Sequence, residues 1–279
     1  MKTFLKIFLP VLLIIFLSCG STAINTSLQT RRVSLQSGFV KDSFDIQITL
    51  PPAYRNSSKS FPVIFYMDAN LKSGNKLRAI VDEFNQKGKS ISAVFVGVGH
   101  PGNYHVLRRR DFITPFINDK NDSLISNDKN YGQTENFYLF LKKELIPYIE
   151  KNYRVTSNRT LIGHSLGGLF AFYCLLKKER LFTNFISLSP ALWINHENIY
   201  AFEKKYRHDS ISLNANLYLC VGGAEKFNYI LTGAKKMKAY LETNSFHGLY
   251  FEYHEFAGET HNSEVPLALN KILPKLKLD

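Results

Sequence analysis

Gly163-His164-Ser165-Leu166-Gly167 places one serine between two glycines, directly after the run "RTLIG" and directly before "LGGLFAFYCLLKK". This is the G-x-S-x-G spacing of a nucleophile elbow, a strained strand-to-helix turn that presents a serine oxygen to substrate. Residues two positions either side of the serine must lack side chains, so that strand and helix can approach. "RTLIG" supplies the strand, the apolar run after Ser165 supplies the helix, and Gly168 adds close packing. A serine so placed attacks acyl carbon, provided a base takes its proton, an acid orients the base, and N–H donors receive the developing oxyanion.

The remaining parts are sought in the chain order that accompanies this motif, serine, then acid, then histidine. Of eight histidines, His164 adjoins the nucleophile and points elsewhere, while His100 and His105 precede it. His196, His208, His247 and His254 come before the last loop and read as surface or structural histidines. His261, in "FAGETHNSEVPLALNKIL", falls between the last strand and the last helix, where the base belongs. Glu225 is the first carboxylate after "NLYLCVGG" and is the candidate acid; the alternative is an exposed glutamate opening a helix. Glu255 and Glu259 lie nearer His261 in sequence, but nearness along the chain does not orient an imidazole. The backbone N–H of Leu166 is one candidate oxyanion donor. Ala69, Asn70 and Leu71, after "VIFYM", offer the second, with Asn70 favoured.

These parts need a scaffold. "FDIQITL" (44–50) alternates as a half-buried strand does, and "FPVIFYMDAN" (61–70) is a continuous apolar run suited to a buried parallel strand. Helix-like segments at 71–87, 134–152, 166 onward, 227–244 and 263–276 alternate with strand-like ones at 91–98, 159–163, 184–189, 216–222 and 248–256. That alternation predicts an α/β fold, a mostly parallel central sheet with helices on both faces. Two stretches read as irregular: the polar connection 99–133 and "SPALWINHEN" (189–198), which holds the single tryptophan.

The first residues, "MKTFLKIFLPVLLIIFLSCG", have a basic start, an apolar run too short to cross a bilayer comfortably, and small residues leading to Cys19. The segment resembles a bacterial lipoprotein signal, with Phe16 at the usual leucine position of the lipobox. This predicts a leader at 1–18, lipidation at Cys19, a polar tether over 19–30 and a single domain at 31–279, held at the cell envelope facing outer membrane or periplasm. Ordinary secretion to the periplasm is the alternative. Cys174 and Cys220 read as buried core residues, with a disulfide left open. The net charge of +12 becomes +10 without Lys2 and Lys6, a balance that favours anionic substrates or membrane faces. No nucleic-acid motif, metal-ligand spacing or cofactor signature is present, and the oligomeric state is open.

The blocks "ITLPPAYRNSSKSFPVIFYMDAN", "LIPYIEKNYRV", "LIGHSLGGLFAFYCLL", "ISLSPALWI" and "GETHNSEVPLAL" resemble the esterase-D-like branch of the α/β-hydrolases. That branch includes antigen 85 mycolyltransferases, feruloyl esterases and enterochelin-type siderophore esterases. "SPALW" and "RRRDFITP" bring the likeness nearest the siderophore esterases, whose serine and histidine match Ser165 and His261. The resemblance implies a serine esterase working through an acyl-enzyme, with either a Ser-His-Glu triad or a Ser-His pair, acting on a siderophore lactone or related ester. Arg109, Arg110 and Trp193 are the candidate substrate contacts, suited to an anionic or aryl ester. Pairing of Asp111 with one of the arginines to fix the connection is the structural alternative. A feruloyl or acetyl carbohydrate esterase and a catalytically inactive binding lipoprotein are the competing functions.

Overall fold

The computed structural model describes residues 29–89, 91–115 and 131–278. The leader at 1–18, Cys19 and the tether as far as residue 28 lie outside the described residues, as do 116–130 of the long connection. Eight strands form one sheet in the order β1-β2-β4-β3-β5-β6-β7-β8. These are β1 (Gln29–Gln36), β2 (Ser43–Leu50), β3 (Phe61–Met67), β4 (Val94–Gly99), β5 (Val155–His164), β6 (Asn184–Leu188), β7 (Ser212–Gly222) and β8 (His247–Phe256). The β1-β2 and β2-β4 pairs are antiparallel, and every other neighbouring pair is parallel. The predicted α/β-hydrolase architecture is therefore present.

The sheet has a core on each face. Along β3, Val63, Phe65 and Met67 enter one core, and Ile64 and Tyr66 the other, which is the period of two that an extended chain imposes. Helices α1 (Lys72–Gln86) and α8 (Glu264–Ile272) cover the second face. The first is covered by α3 (Thr134–Phe140), α4 (Ile146–Asn152), α5 (Leu166–Leu175), α6 (Ile199–Asp209) and α7 (Asn228–Thr243). A π-helical turn, Leu141–Leu145, joins α3 to α4, so the predicted single helix over 134–152 is continuous.

Three features differ from the sequence expectations. Residues 29 and 30, assigned to the tether, already pair with β2 as the start of an edge strand. The connection 99–133 contains a helix, α2 (Tyr104–Phe112), and α6 follows the second irregular stretch. Cys174 and Cys220 are both free thiols, buried in the cores on opposite faces of the sheet, so no disulfide joins them. Because β3 to β8 run parallel, the loops after β3, β5, β6, β7 and β8 all emerge at one edge, where ligands bind in open α/β sheets.

Candidate active site

Ser165 joins β5 to α5 with φ 59° and ψ −115°, a conformation that side chains avoid. Neighbouring backbone holds it there. Its N–H donates to the Leu188 carbonyl at 2.9 Å, and its carbonyl accepts from the N–H groups of Ala191 at 3.0 Å and Leu169 at 3.1 Å. A Cβ at position 163 would lie 1.9 Å from the Gly167 carbonyl oxygen, so only glycine fits. Gly167 is less constrained, since its nearest approach is an ordinary 3.4 Å to Met67. The second tight contact falls instead at Gly168, 3.0 Å from Pro190 and Ser187. The demand for two bare flanking positions thus applies at 163 and 168.

The loops after β7 and β8 are knitted together by backbone. The Gly223 N–H donates to Phe256 and the Ala224 N–H to Glu259, both at 2.8 Å, and a Cβ on Gly222 would strike the Glu259 carbonyl at 2.4 Å. This close approach brings Glu225 under His261. The His261 Nδ1 lies 3.3 Å from Oε1 and 3.2 Å from Oε2 of Glu225, whose side chain is fully buried. Ser189, at the end of β6, donates its hydroxyl to the same Oε1 at 2.5 Å. With Nδ1–H directed to the carboxylate, Nε2 is the nitrogen left to accept a proton. His261 and Ser165 line the same cleft.

His164 does have a task, and the sequence did not disclose it. Its Nε2 donates to the backbone carbonyl of His261 at 2.6 Å. Burial, reinforced by the adjacent His261, pushes the His164 pKa down to about 3, so the ring is neutral at physiological pH. The turn residue before Ser165 therefore fixes the backbone of His261.

At the end of β3, the Ala69 N–H donates to Val98 at 3.1 Å and the Leu71 N–H to Asp68 at 2.8 Å. Of the three candidate donors this leaves Asn70. Its side chain is anchored to β4, with Nδ2 donating to the His100 carbonyl at 2.7 Å. Leu166 opens α5, whose first N–H groups have no acceptor within the helix. The turn carrying Asn70 is held by Asp68, a buried residue with φ 60°. Arg108 grips the Asp68 carboxylate through two hydrogen bonds, of 2.7 and 2.9 Å, and reaches the His164 carbonyl at 3.4 Å.

A cleft of about 860 Å³ opens beside Ser165 and His261. Tyr131, Trp193, Phe227 and Tyr229 furnish aromatic walls, and Arg109 and Lys226 furnish positive charge; among the described residues none that lines it is acidic. Trp193 is 40% exposed, with its ring 4.6 Å from that of Tyr229. Arg109 lies over the Tyr131 ring at 5.1 Å. Arg110 does not belong to this group. It is buried, with Nε and Nη2 on Asp111 at 2.7 and 2.9 Å and Nη1 on Asp42 at 2.8 Å, while His100 Nε2 shares the Asp111 Oδ2 with Arg110 Nη2, at 2.9 Å. Its expected substrate contact is replaced by the structural pairing. Tyr131, Lys226, Phe227 and Tyr229 carry no sequence signal of their own: Tyr131 lies in the long connection, and the other three fall in the loop after β7 and the first turn of α7. Among the described residues, no group of three His, Cys, Asp or Glu side chains is placed to hold a metal ion.

Residues 37–276 match the "Putative esterase" family. The ferri-bacillibactin esterase BesA of Bacillus subtilis is 31% identical over 238 residues, which span 80% of this chain and 79% of that protein. The crystal structure of the BES protein from Bacillus cereus superposes with a TM-score of 0.73 at 28% identity, covering 88% of this chain and 94% of that one. An IroE-like serine hydrolase from Shewanella oneidensis shares the fold, with a TM-score of 0.75 at 21% identity over 88% of this chain and 79% of that one. With the sheet order and the elbow already in place, the chain belongs to this esterase family of the α/β-hydrolase superfamily and is a carboxylic ester hydrolase.

Proposed function

We propose that the chain is a serine esterase that opens ester bonds of an iron-binding siderophore through an acyl-enzyme on Ser165. The observation that carries this reading is the cleft beside Ser165 and His261, which combines aromatic walls with positive charge. An iron-bound catecholate presents flat aromatic rings bearing negative charge, which such a cleft receives by stacking and by cation–π and charge-assisted contacts. The likeness to a ferri-bacillibactin esterase supports the same substrate class.

In this mechanism Ser165 Oγ attacks the ester carbonyl as His261 Nε2 takes its proton. Glu225 accepts from Nδ1–H and stabilises the imidazolium that forms. The N–H groups of Leu166 and Asn70 receive the oxyanion, each such donor contributing about 3 kcal/mol in the transition state. Collapse expels the alcohol, which leaves with the proton from Nε2. Water, activated by the same imidazole, then repeats the sequence on the acyl-enzyme and releases the acid. Hydrolysis of a ferric trilactone siderophore, measured beside methyl ferulate and short p-nitrophenyl esters, is expected to show the highest kcat/KM for the siderophore. Preference for the ferulate would transfer the assignment to carbohydrate esters.

We also propose that the enzyme works at the bacterial envelope, anchored by lipid on Cys19 once residues 1–18 are removed. The basic start, short apolar run and Cys19 support this reading. Cys19→Ser is expected to move the protein from the membrane fraction to the soluble one, and continued membrane association would overturn the anchor.

A further inference from the structure

The loop that carries Trp193 to the cleft continues in a conformation its own residues resist. Asn195, His196 and Glu197 follow one another with φ 52°, 53° and 60°, left-handed backbone without a glycine. Side chains disfavour that region, so such a turn persists only where neighbouring contacts hold it. Here they come from the connection between β4 and α3. Asn195 Nδ2 donates to the carbonyl of Thr114, a fully buried residue, at 2.7 Å, and Asn198 Nδ2 donates to the Pro115 carbonyl at 2.5 Å. From the other end of the same connection, the Tyr131 hydroxyl donates to Asn195 Oδ1 at 2.6 Å.

The Asn195 amide has one workable orientation. A backbone carbonyl only accepts, so the nitrogen must face Thr114, and the oxygen is left for the phenol, which must donate. One side chain therefore ties the loop after β6 to both ends of the connection. Tyr131 is fixed from a second side as well. The next residue, Gly132, donates its N–H to the Arg109 carbonyl at 3.4 Å, and the Arg109 guanidinium lies over the Tyr131 ring at 5.1 Å. Arg109, Tyr131, Trp193 and Asn195 all line the cleft beside Ser165.

We propose that Asn195 is a positioning residue that sets specificity for aryl-bearing esters: its amide holds the Tyr131 wall, with Arg109 on it, at a fixed separation from the Trp193 wall. The space so defined takes one flat, negatively charged aromatic arm of the substrate. Asparagine suits the position twice over, because it tolerates positive φ better than most side chains and carries a donor and an acceptor in one plane. The inference rests on the reading of this cleft as the siderophore's site, and its test separates the two.

The experiment compares kcat and KM for a ferric tris-catecholate trilactone with those for vinyl acetate, which has no ring. The proteins are the parent, Asn195→Gly, Tyr131→Phe, the double variant and Trp193→Ala. Glycine adopts the left-handed backbone freely, so Asn195→Gly removes the amide and leaves the turn its conformation. It is expected to raise KM for the siderophore about tenfold relative to vinyl acetate, with kcat little changed, through the loss of two hydrogen bonds. Tyr131→Phe keeps the ring under Arg109 and loses one of those bonds, so a rise of about threefold is expected. The double variant should be no worse than Asn195→Gly, where the phenol has already lost this acceptor. An equal loss on both substrates, or a double variant whose effect is the product of the two singles, overturns the proposal. A parental siderophore KM in Asn195→Gly overturns it too; if Trp193→Ala is equally silent, the cleft is not the siderophore's site and the functional reading falls with it. Should Asn195→Gly fail to fold, Tyr131→Phe decides, and a parental siderophore KM there is the refuting result.

Discussion

Ester hydrolysis by the Ser165→Ala protein is expected to fall on the order of 10⁶-fold, while its unfolding midpoint stays close to that of the parent. The two halves of the prediction follow from the elbow. Removing Oγ deletes the nucleophile, and His261 and Glu225 then have nothing to activate. The backbone at position 165 is held by Leu188, Ala191 and Leu169 rather than by the hydroxyl, so alanine inherits the same strained conformation. Residual catalysis from the oxyanion donors and binding should remain above the uncatalysed rate. Single-turnover assays measure the loss, and a fluorophosphonate probe reports the nucleophile directly. Labelling that persists in Ser165→Ala would refute the assignment, and failure to label the parent would favour an inactive binding protein.

The second large effect is structural in origin. Arg108→Ala should destabilise the fold by about 3–5 kcal/mol, because it leaves the Asp68 carboxylate buried with neither of its two guanidinium bonds. It should also lower kcat by about 10²-fold, since Asp68 forms the turn that presents Asn70, and one oxyanion donor is worth that much. Combining Arg108→Ala with Asp68→Asn replaces the stranded charge by a neutral amide and is expected to recover a large part of the stability but not of the rate. Denaturant unfolding and kcat on the parent, Arg108→Ala, Asp68→Asn and the double variant form a double-mutant cycle. Unchanged midpoint and rate in Arg108→Ala would show the ion pair to be incidental.

The three consecutive arginines mark where reading residues in sequence reaches its end. As a loop, 108–110 offers all three side chains to the same region. As the helix α2 it turns them about 100° apart, one to Asp68, one to the cleft and one to Asp42 and Asp111. The helix itself was hidden because "YHVLRRRDF" has too few apolar residues to display a period. β1 escaped notice for a related reason: an edge strand paired on one side buries little, and only Val33 and Leu35 of its eight residues are aliphatic. The interior strands and the helix after Ser165 were legible, since burial on both faces demands unbroken apolar runs there. That Ser165, His261 and Glu225 lie together was legible because the loops after β5, β7 and β8 of a parallel sheet emerge at one edge. The Ser189–Glu225 hydrogen bond could not, because it joins the ends of β6 and β7 through side chains with no spacing rule between them.

The hydrogen bond from His164 to the His261 carbonyl bears on how such an enzyme can be altered. His164 and His261 lie 97 residues apart, yet the ring of the first grips the peptide of the second. Loop grafting or directed evolution at 257–262 would therefore meet a hidden constraint: the incoming segment must present a carbonyl to position 164, or position 164 must change with it. The heritable unit of this site is a pair of segments, and substitutions that look neutral in either alone are expected to be accepted only in company.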